Sequence, residues 1–251
     1  MNDWFDWNGV RCTENGMHVL SQPSIVMAKE RVEHIDIPGL SGSLTRTEGS
    51  NVYSDKNLSC VCIVDKPHEL VDEPPVSRIQ KICGWLKGGG NVTFANQPEG
   101  YFKARIANQI SFDQIVRGNP HRSFSVEFRC KPFMYLHSGD IPFVCTSEKL
   151  FFNPGNVPAA PVLKITGTGQ GTIMSNGSTM LIDGLNEIGY IILDCEAKIA
   201  YKGAPGDPSD PLKLLGTRVT GEWLTLPAGD SFISFSGGIE TVTVTPRWRC
   251  V

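Results

Sequence analysis

The 251-residue chain is 40% apolar and 20% charged, with 23 basic against 26 acidic residues and a net charge of −3. That is enough apolar material for one or two cores and excludes a disordered chain, while the charge gives no bulk electrostatic reason to grip nucleic acid. With 26 Gly and 17 Pro, turns must be frequent, which favours many short strands over long helices.

The chain starts acidic and aromatic, Met1-Asn2-Asp3-Trp4-Phe5-Asp6, without the basic start and apolar run of a secretory leader. A soluble protein made and assembled inside a cell is the expectation, with no membrane partner. Phe5-Asp6-Trp7-Asn8-Gly9 sets Asn-Gly between apolar flanks, a type I′ hairpin signal. Strands are predicted at Met17–Leu20, Ile25–Met27 and Arg31–Ile37, then a turn-rich loop from Pro38 through Gly39 and Gly42 to Ser43, continuing over Arg46–Gly49. Leu58–Val64 is nearly all apolar or small and predicts a central strand buried on both faces.

One helix is predicted over 76–87. Asp72-Glu73-Pro74-Pro75 would start it, Val76, Ile79, Ile82, Cys83 and Leu86 would form its apolar stripe, and Lys87-Gly88 would close it. Strands follow over Asn91–Ala95 and from Tyr101 to Ile115, joined by a turn at Gln97–Gly100. In Tyr101–Ile106, Phe102, Ala104 and Ile106 should face in, and Tyr101, Lys103 and Arg105 out. Arg122–Arg129 alternates strictly, with Phe124, Val126 and Phe128 on one face, and Pro132 should end its ladder.

After Tyr135 helical periodicity disappears and short strands alternate with Gly, Pro and Asn turns. Candidates are Pro161–Ile165, Gly171–Met174 and Met180–Ile182 around Asn176-Gly177, Ile188–Tyr201 with a bend at Asp194–Ala197, Trp223–Leu226, Phe232–Phe235 and Ile239–Pro246. Gly167–Gly171 and Ser236–Gly238 read as turns, and Gly203–Pro211 as a polar loop. The fold class is therefore mainly β in two domains. Residues 1–134 form an N-terminal β-sandwich with one helix, and 135–251 a C-terminal galectin-like or jelly-roll β-sandwich.

No catalytic, cofactor or metal motif emerges. The eight cysteines lack paired ligand spacings and read as buried free thiols. His18, His34, His68, His121 and His137 are scattered, and Gly167-Thr168-Gly169-Gln170-Gly171 is not a phosphate loop. Asp183, Glu187, Asp194 and Glu196 offer unplaced carboxylates to a hydrolase reading. Tyr190, Tyr201 and Trp223 offer aromatic platforms to a carbohydrate-binding module that aids attachment to a host surface.

Read end to end, the chain resembles the distal tail proteins (Dit) of long-tailed, non-contractile bacteriophages. The resemblance rests on Trp7-Asn8-Gly9 after an aromatic start, and on Ile37-Pro38-Gly39 followed by Gly42-Ser43-Leu44 and Gly49. It also rests on Tyr101–Ile106 with Arg105, and on the ending Phe124 to Phe133 with Phe128 and Pro132. The second half contributes Asn153-Pro154-Gly155-Asn156, Pro161–Gly167, Leu226-Pro227-Ala228-Gly229-Asp230, and Val242–Trp248 ending in Pro246-Arg247-Trp248. Asp230 stands where the family pattern has asparagine, and eight cysteines is rich for the family.

The resemblance implies a virion structural protein without catalytic residues or cofactor, placed at the tail tip and assembled in the bacterial host cytoplasm. It implies a homohexameric ring, with rings possibly stacked, made by the N-terminal domain, whose projecting hairpin or arm reaches the neighbouring subunit. The ring would join the tail tube and tail terminal proteins to a tail-associated lysin, baseplate or receptor-binding protein. DNA would pass through its lumen unheld, in keeping with a mildly acidic chain without a basic stripe.

Overall fold

The computed structural model describes residues 3–39, 41–47, 49, 51–73, 75–113, 121–204, 207 and 209–251. Expectations that involve Met1, Asn2, Leu40, Glu48, Pro74, Gln114, Ile115 and parts of the loop 203–211 fall outside them. The fold is mainly β, and the chain divides into two compact units, Met1–Met134 with Val251, and Tyr135–Cys250.

In the first unit one antiparallel sheet runs, in spatial order, through Val10–Arg11, Phe5–Trp7, Gly89–Phe94, Gln97–Ile106, Arg122–Leu136, Lys56–Val64 and Met17–Ser21. The opening hairpin is the type I′ turn that Asn-Gly dictates: Trp7 pairs with Val10, and Asn8 and Gly9 take φ of 53° and 79°. Asn8 then clamps the hairpin to the next strand, its N–H donating to the Asn91 carbonyl and its Oδ1 accepting from the Asn91 N–H, both at 2.9 Å. A Cβ on Gly90 would lie 1.8 Å from that Oδ1, so this clamp needs glycine.

The inward phase of these strands makes the core. Phe128 sits at its centre, with ring centroids 5.4 Å from Phe5, 5.5 Å from Trp7 and 5.5 Å from Phe94. Phe124, Val126 and Phe128 are buried, as their alternation requires. Lys56–Val64 pairs with Arg122–Cys130 across nine register positions but is buried on one face only, with Asn57, Ser59 and Val61 outside, which corrects the two-sided reading. Its apolar run misled because Val61 is 42% exposed. The turn between the third and fourth strands is Ala95-Asn96, so Gln97–Gly100 belongs to the strand and a bulge absorbs the shift. Pro132 does not end its strand, which runs on to Leu136. The ladder to Lys56–Val64 finishes at Cys130, two residues earlier, so that neighbour asks no N–H of Pro132.

The helix is shorter than its apolar stripe. Val76–Ser77 pairs with Leu70–Val71, and the helix is Arg78–Trp85. Ser77 is the cap: its side chain accepts from the Gln80 N–H while the Gln80 side chain accepts from the Ser77 N–H. Ile82 and Leu86 are buried and Trp85 stacks on Phe5 at 5.8 Å, but Cys83 is exposed.

The second unit is one curled sheet in the order Phe143–Cys145, Gly229–Thr245, Val162–Ser175, Tyr190–Asp194, Ile199–Lys202 and Lys213–Leu214. Lys149–Asn153 flanks Gly229–Thr245, and Ser178–Ile182 flanks Val162–Ser175. The two long strands overturn the reading of short pieces. Gly167–Gly171 and Ser236–Gly238 are not turns; they are facing bulges within continuous strands. Glycine is required there because the backbones touch. A Cβ on Gly238 would stand 1.5 Å from the Thr168 carbonyl oxygen, and one on Gly167 2.0 Å from that of Gly238. The Asn176-Gly177 hairpin and the bend after Asp194 are present as expected. Trp223–Leu226 forms no strand, only a bridge from Leu226 to Ala159. Leu163, Ile165, Ile191, Leu193, Val242 and Val244 head the core.

Candidate interaction surfaces

After the sheet's edge strand the chain departs from the main sheet, with Pro23 and Ala28 still buried. Gln22–Lys29 forms no strand, which corrects the expectation for Ile25–Met27; Ile25 and Met27 are each 71% exposed. Buried Lys56 holds this stretch, its ammonium donating to the Val26 carbonyl at 2.8 Å and lying 4.7 Å over the Phe102 ring. Burial draws the Lys56 pKa below the ordinary lysine value.

Next comes a separate two-stranded hairpin, Val32–Asp36 with Ser43–Thr47, so Arg46 and Thr47 are strand rather than loop. Pro38 leads its tip, where Gly39 and Gly42 take φ of 85° and 88°. It has no core of its own, and Ile35, Ile37 and Leu44 are exposed. Two strands alone are marginal in water.

On the outward face of the main sheet a groove of about 480 Å³ is lined by Lys103, Arg105, Arg129 and Lys131, with Asp55 as the one acid among the lining residues. Arg129 Nε stands 3.1 Å and Lys131 Nζ 3.5 Å from the Asp55 carboxylate. Gly90, Asn91 and Ala104 complete the lining. Sequence reading saw no basic stripe. The signal was present as Lys103-Ala104-Arg105 and Arg129-Cys130-Lys131, each pair two residues apart on the outward phase of neighbouring strands.

In the second unit three of the four carboxylates suggested for hydrolysis, Glu187, Asp194 and Glu196, are held by arginines. Arg247 grips Asp194 through two hydrogen bonds of 2.9 and 3.1 Å, and Glu196 lies 3.6 Å from both Arg247 and Arg249 and accepts from the Tyr135 hydroxyl. Burial alone would raise the Asp194 pKa, but the Arg247 pair and the Ala197 and Glu196 N–H groups outweigh it and hold the carboxyl below its usual range. Such a group stays ionised and cannot serve as a general acid. Glu187 pairs with Arg218.

The aromatic candidates do not make one platform. Tyr190 and Tyr201 share the outer face, yet Lys164 and Lys202 stand 4.6 and 4.9 Å from the Tyr190 ring centroid, and Trp223 packs on the core.

Trp7 and Phe128 are core, while Arg105 is exposed in the groove. Gly155 donates its N–H to Asn153 Oδ1 at a spot where a Cβ would meet the Arg249 carbonyl at 2.2 Å. The Pro227 carbonyl accepts from the Asn153 side chain and the Ser231 hydroxyl, Gly229 has φ of 83°, and Trp248 packs against Phe151 at 5.9 Å. The cysteines are free. Cys12, Cys60, Cys62, Cys130, Cys145 and Cys195 are buried, whereas Cys83 is exposed and Cys250 half-buried. Desolvation pushes the Cys12 and Cys195 thiols up to about 11 and about 12, so they are poor nucleophiles.

No protein-family model matches the sequence, and no curated protein matches it. Its three-dimensional structure does have counterparts. It is similar to the crystal structure of SPP1 Dit (gp 19.1), described as a paradigm of the hub adsorption apparatus in phages that infect Gram-positive bacteria. The TM-score is 0.68 at 12% identity, covering 96% of this chain and 97% of that one. The chain has a Dit-like fold. A structure of the phage p2 baseplate in its activated conformation with Sr is also similar, at TM-score 0.48 and 9% identity over 92% of this chain and 91% of that one. Among the described residues no group of three or more His, Cys, Asp or Glu is placed to hold a metal, and no helix is long and apolar enough to cross a membrane.

Proposed function

We propose that this chain is a structural protein of a phage tail tip. Six copies would form a ring that connects the tail tube to the baseplate or host-adsorption proteins. The observation that carries this reading is the exposed arm, Val32–Thr47, presented by a chain whose Dit-like fold extends over nearly its whole length. An arm with Ile35, Ile37 and Leu44 uncovered gains its stability from a surface beyond its own unit, and a head-to-tail contact between copies supplies one and closes a ring.

Residues 1–134 would be the ring-forming domain, and 135–251 a galectin-like domain outside it. The family-pattern residues would act as structural positions, with no catalytic role. Tail tube and tail terminal proteins on one side, and a tail-associated lysin or receptor-binding protein on the other, are the partners this reading calls for. DNA would pass through the lumen. Assembly in the bacterial host cytoplasm and residence in the virion tail follow from the same role.

Native mass spectrometry with negative-stain microscopy over a concentration series tests it. Six-subunit rings with an open lumen are expected. Deleting residues 1–134 should abolish rings and leave a soluble monomer, and rings that survive that deletion would refute the domain assignment.

A further inference from the structure

We infer that the groove lined by Lys103, Arg105, Arg129 and Lys131 receives carboxylates from a second copy of this chain. The inference rests on the ring reading above and names one of its contacts.

Four cations and one carboxylate give the groove a local charge of about +3. The whole chain carries −3, so everything outside the groove sums to −6 (−3 minus +3). Charge is thus segregated on the molecule, and the complement of the groove is the rest of the same chain. That is the electrostatic requirement of a head-to-tail contact, where one patch meets a different patch on the next copy. Several exposed acids are available for the purpose. Glu33 and Asp36 on the arm, and Glu99 at the start of its strand, form no ion pair among the described residues.

The lining agrees. Lys103, Arg105, Arg129 and Lys131 all lie on the outward phase of two neighbouring strands, so the four side chains stand on the groove side of the sheet. Asp55 already holds Arg129 and Lys131 in place from one side, leaving their other donors to a partner. The composition also selects protein over nucleic acid. The adjoining recess is lined by Asn57 and Glu127 as well as Asp55 and Arg129, and an acid at both places would repel a continuous phosphodiester backbone. A partner with discrete carboxylates and interleaved donors satisfies both parts.

The test is the double variant K103E/R105E of the full chain, beside the conservative K103R/R105K. Assembly is followed by native mass spectrometry and sedimentation at low and high ionic strength, with thermal unfolding as a folding control. Like charges across the contact should raise the concentration needed for assembly on the order of 100-fold. K103R/R105K should assemble as the unchanged chain does, and added salt should weaken assembly of the unchanged chain but not further weaken the double variant. Rings that form equally well, with the same salt dependence, in K103E/R105E would overturn the groove contact and leave the ring reading intact. An unchanged chain that stays monomeric at every concentration would overturn both. A duplex oligonucleotide that binds the unchanged chain and not the double variant, with assembly unaltered, would overturn the carboxylate assignment in favour of phosphodiesters.

Discussion

Two antiparallel ladders in the first unit obey the same period-two rule and meet opposite fates. Arg122–Cys130 on Lys56–Val64 turns Phe124, Val126 and Phe128 into a core with Leu58, Cys60 and Cys62. Val32–Asp36 on Ser43–Thr47 leaves Ile35, Ile37 and Leu44 37%, 43% and 53% exposed. The difference is not in the strands but in what lies over them. The first pair is flanked by further strands of its sheet and packs into a core with Phe5, Trp7 and Phe94, while the second pairs with no third strand among the described residues. Alternation measures a capacity to bury; burial needs a second layer, and the arm's own unit gives it none among the described residues.

The sharpest way to break the contrast is to empty the first ladder. Phe128→Ala removes the ring that Phe5, Trp7 and Phe94 pack around, and should cost about 4 kcal/mol in urea unfolding. A loss below about 1 kcal/mol would mean that the aromatic cluster is not the centre of that core.

In the second unit the comparison moves to the facing bulges. Gly238→Ala puts a methyl group against the Thr168 carbonyl, where nothing flexible can give way. A cost of about 3 kcal/mol is expected in the same assay. A neutral result would show that the two long strands separate there with ease.

Asp194→Asn keeps the shape of the bend and removes the charge that Arg247 grips, for about 2 kcal/mol. The sign of its pH dependence follows from the depressed pKa of Asp194. The carboxylate contributes fully above its ordinary unfolded value of about 3.9, and its contribution is lost as pH falls through the lower folded value. Melting curves of the unchanged chain and D194N should therefore differ by a constant amount at neutral pH and converge on strong acidification. Curves that diverge in acid would contradict this account.

The smallest effect on stability is the most informative about the arm. The triple variant I35S/I37S/L44S should change the stability of the monomer by no more than about 1 kcal/mol, because those side chains are half-exposed and lie outside the core. It should nevertheless abolish rings in the microscope. Loss of monomer stability without loss of rings would reverse the roles assigned to the two ladders.

Much of the fold was legible where one residue type answers one backbone demand. Asn8-Gly9 and Asn176-Gly177 specified their turns because only such residues take left-handed φ cheaply, and the Arg122–Arg129 alternation placed its own buried face. Errors came where two remote segments settle the matter. Gly167–Gly171 and Ser236–Gly238 read as turns because glycine marks both a reversal and a close approach, and only their mutual contact tells which. The Val76 start of the helix failed because Val76–Ser77 is held by Leu70–Val71. The groove was invisible because its cations come from two segments more than twenty residues apart, and net charge averages over them.

The amino-acid sequence alone determined the mainly β class, the two hairpin turns and the inward phase of the main strands, all of them local properties of backbone preference and side-chain period. Which glycines touch, which carboxylates are held by arginines, which cations converge and which ladder stays bare were decided only by tertiary structure. Each depends on a neighbour that local sequence does not contain.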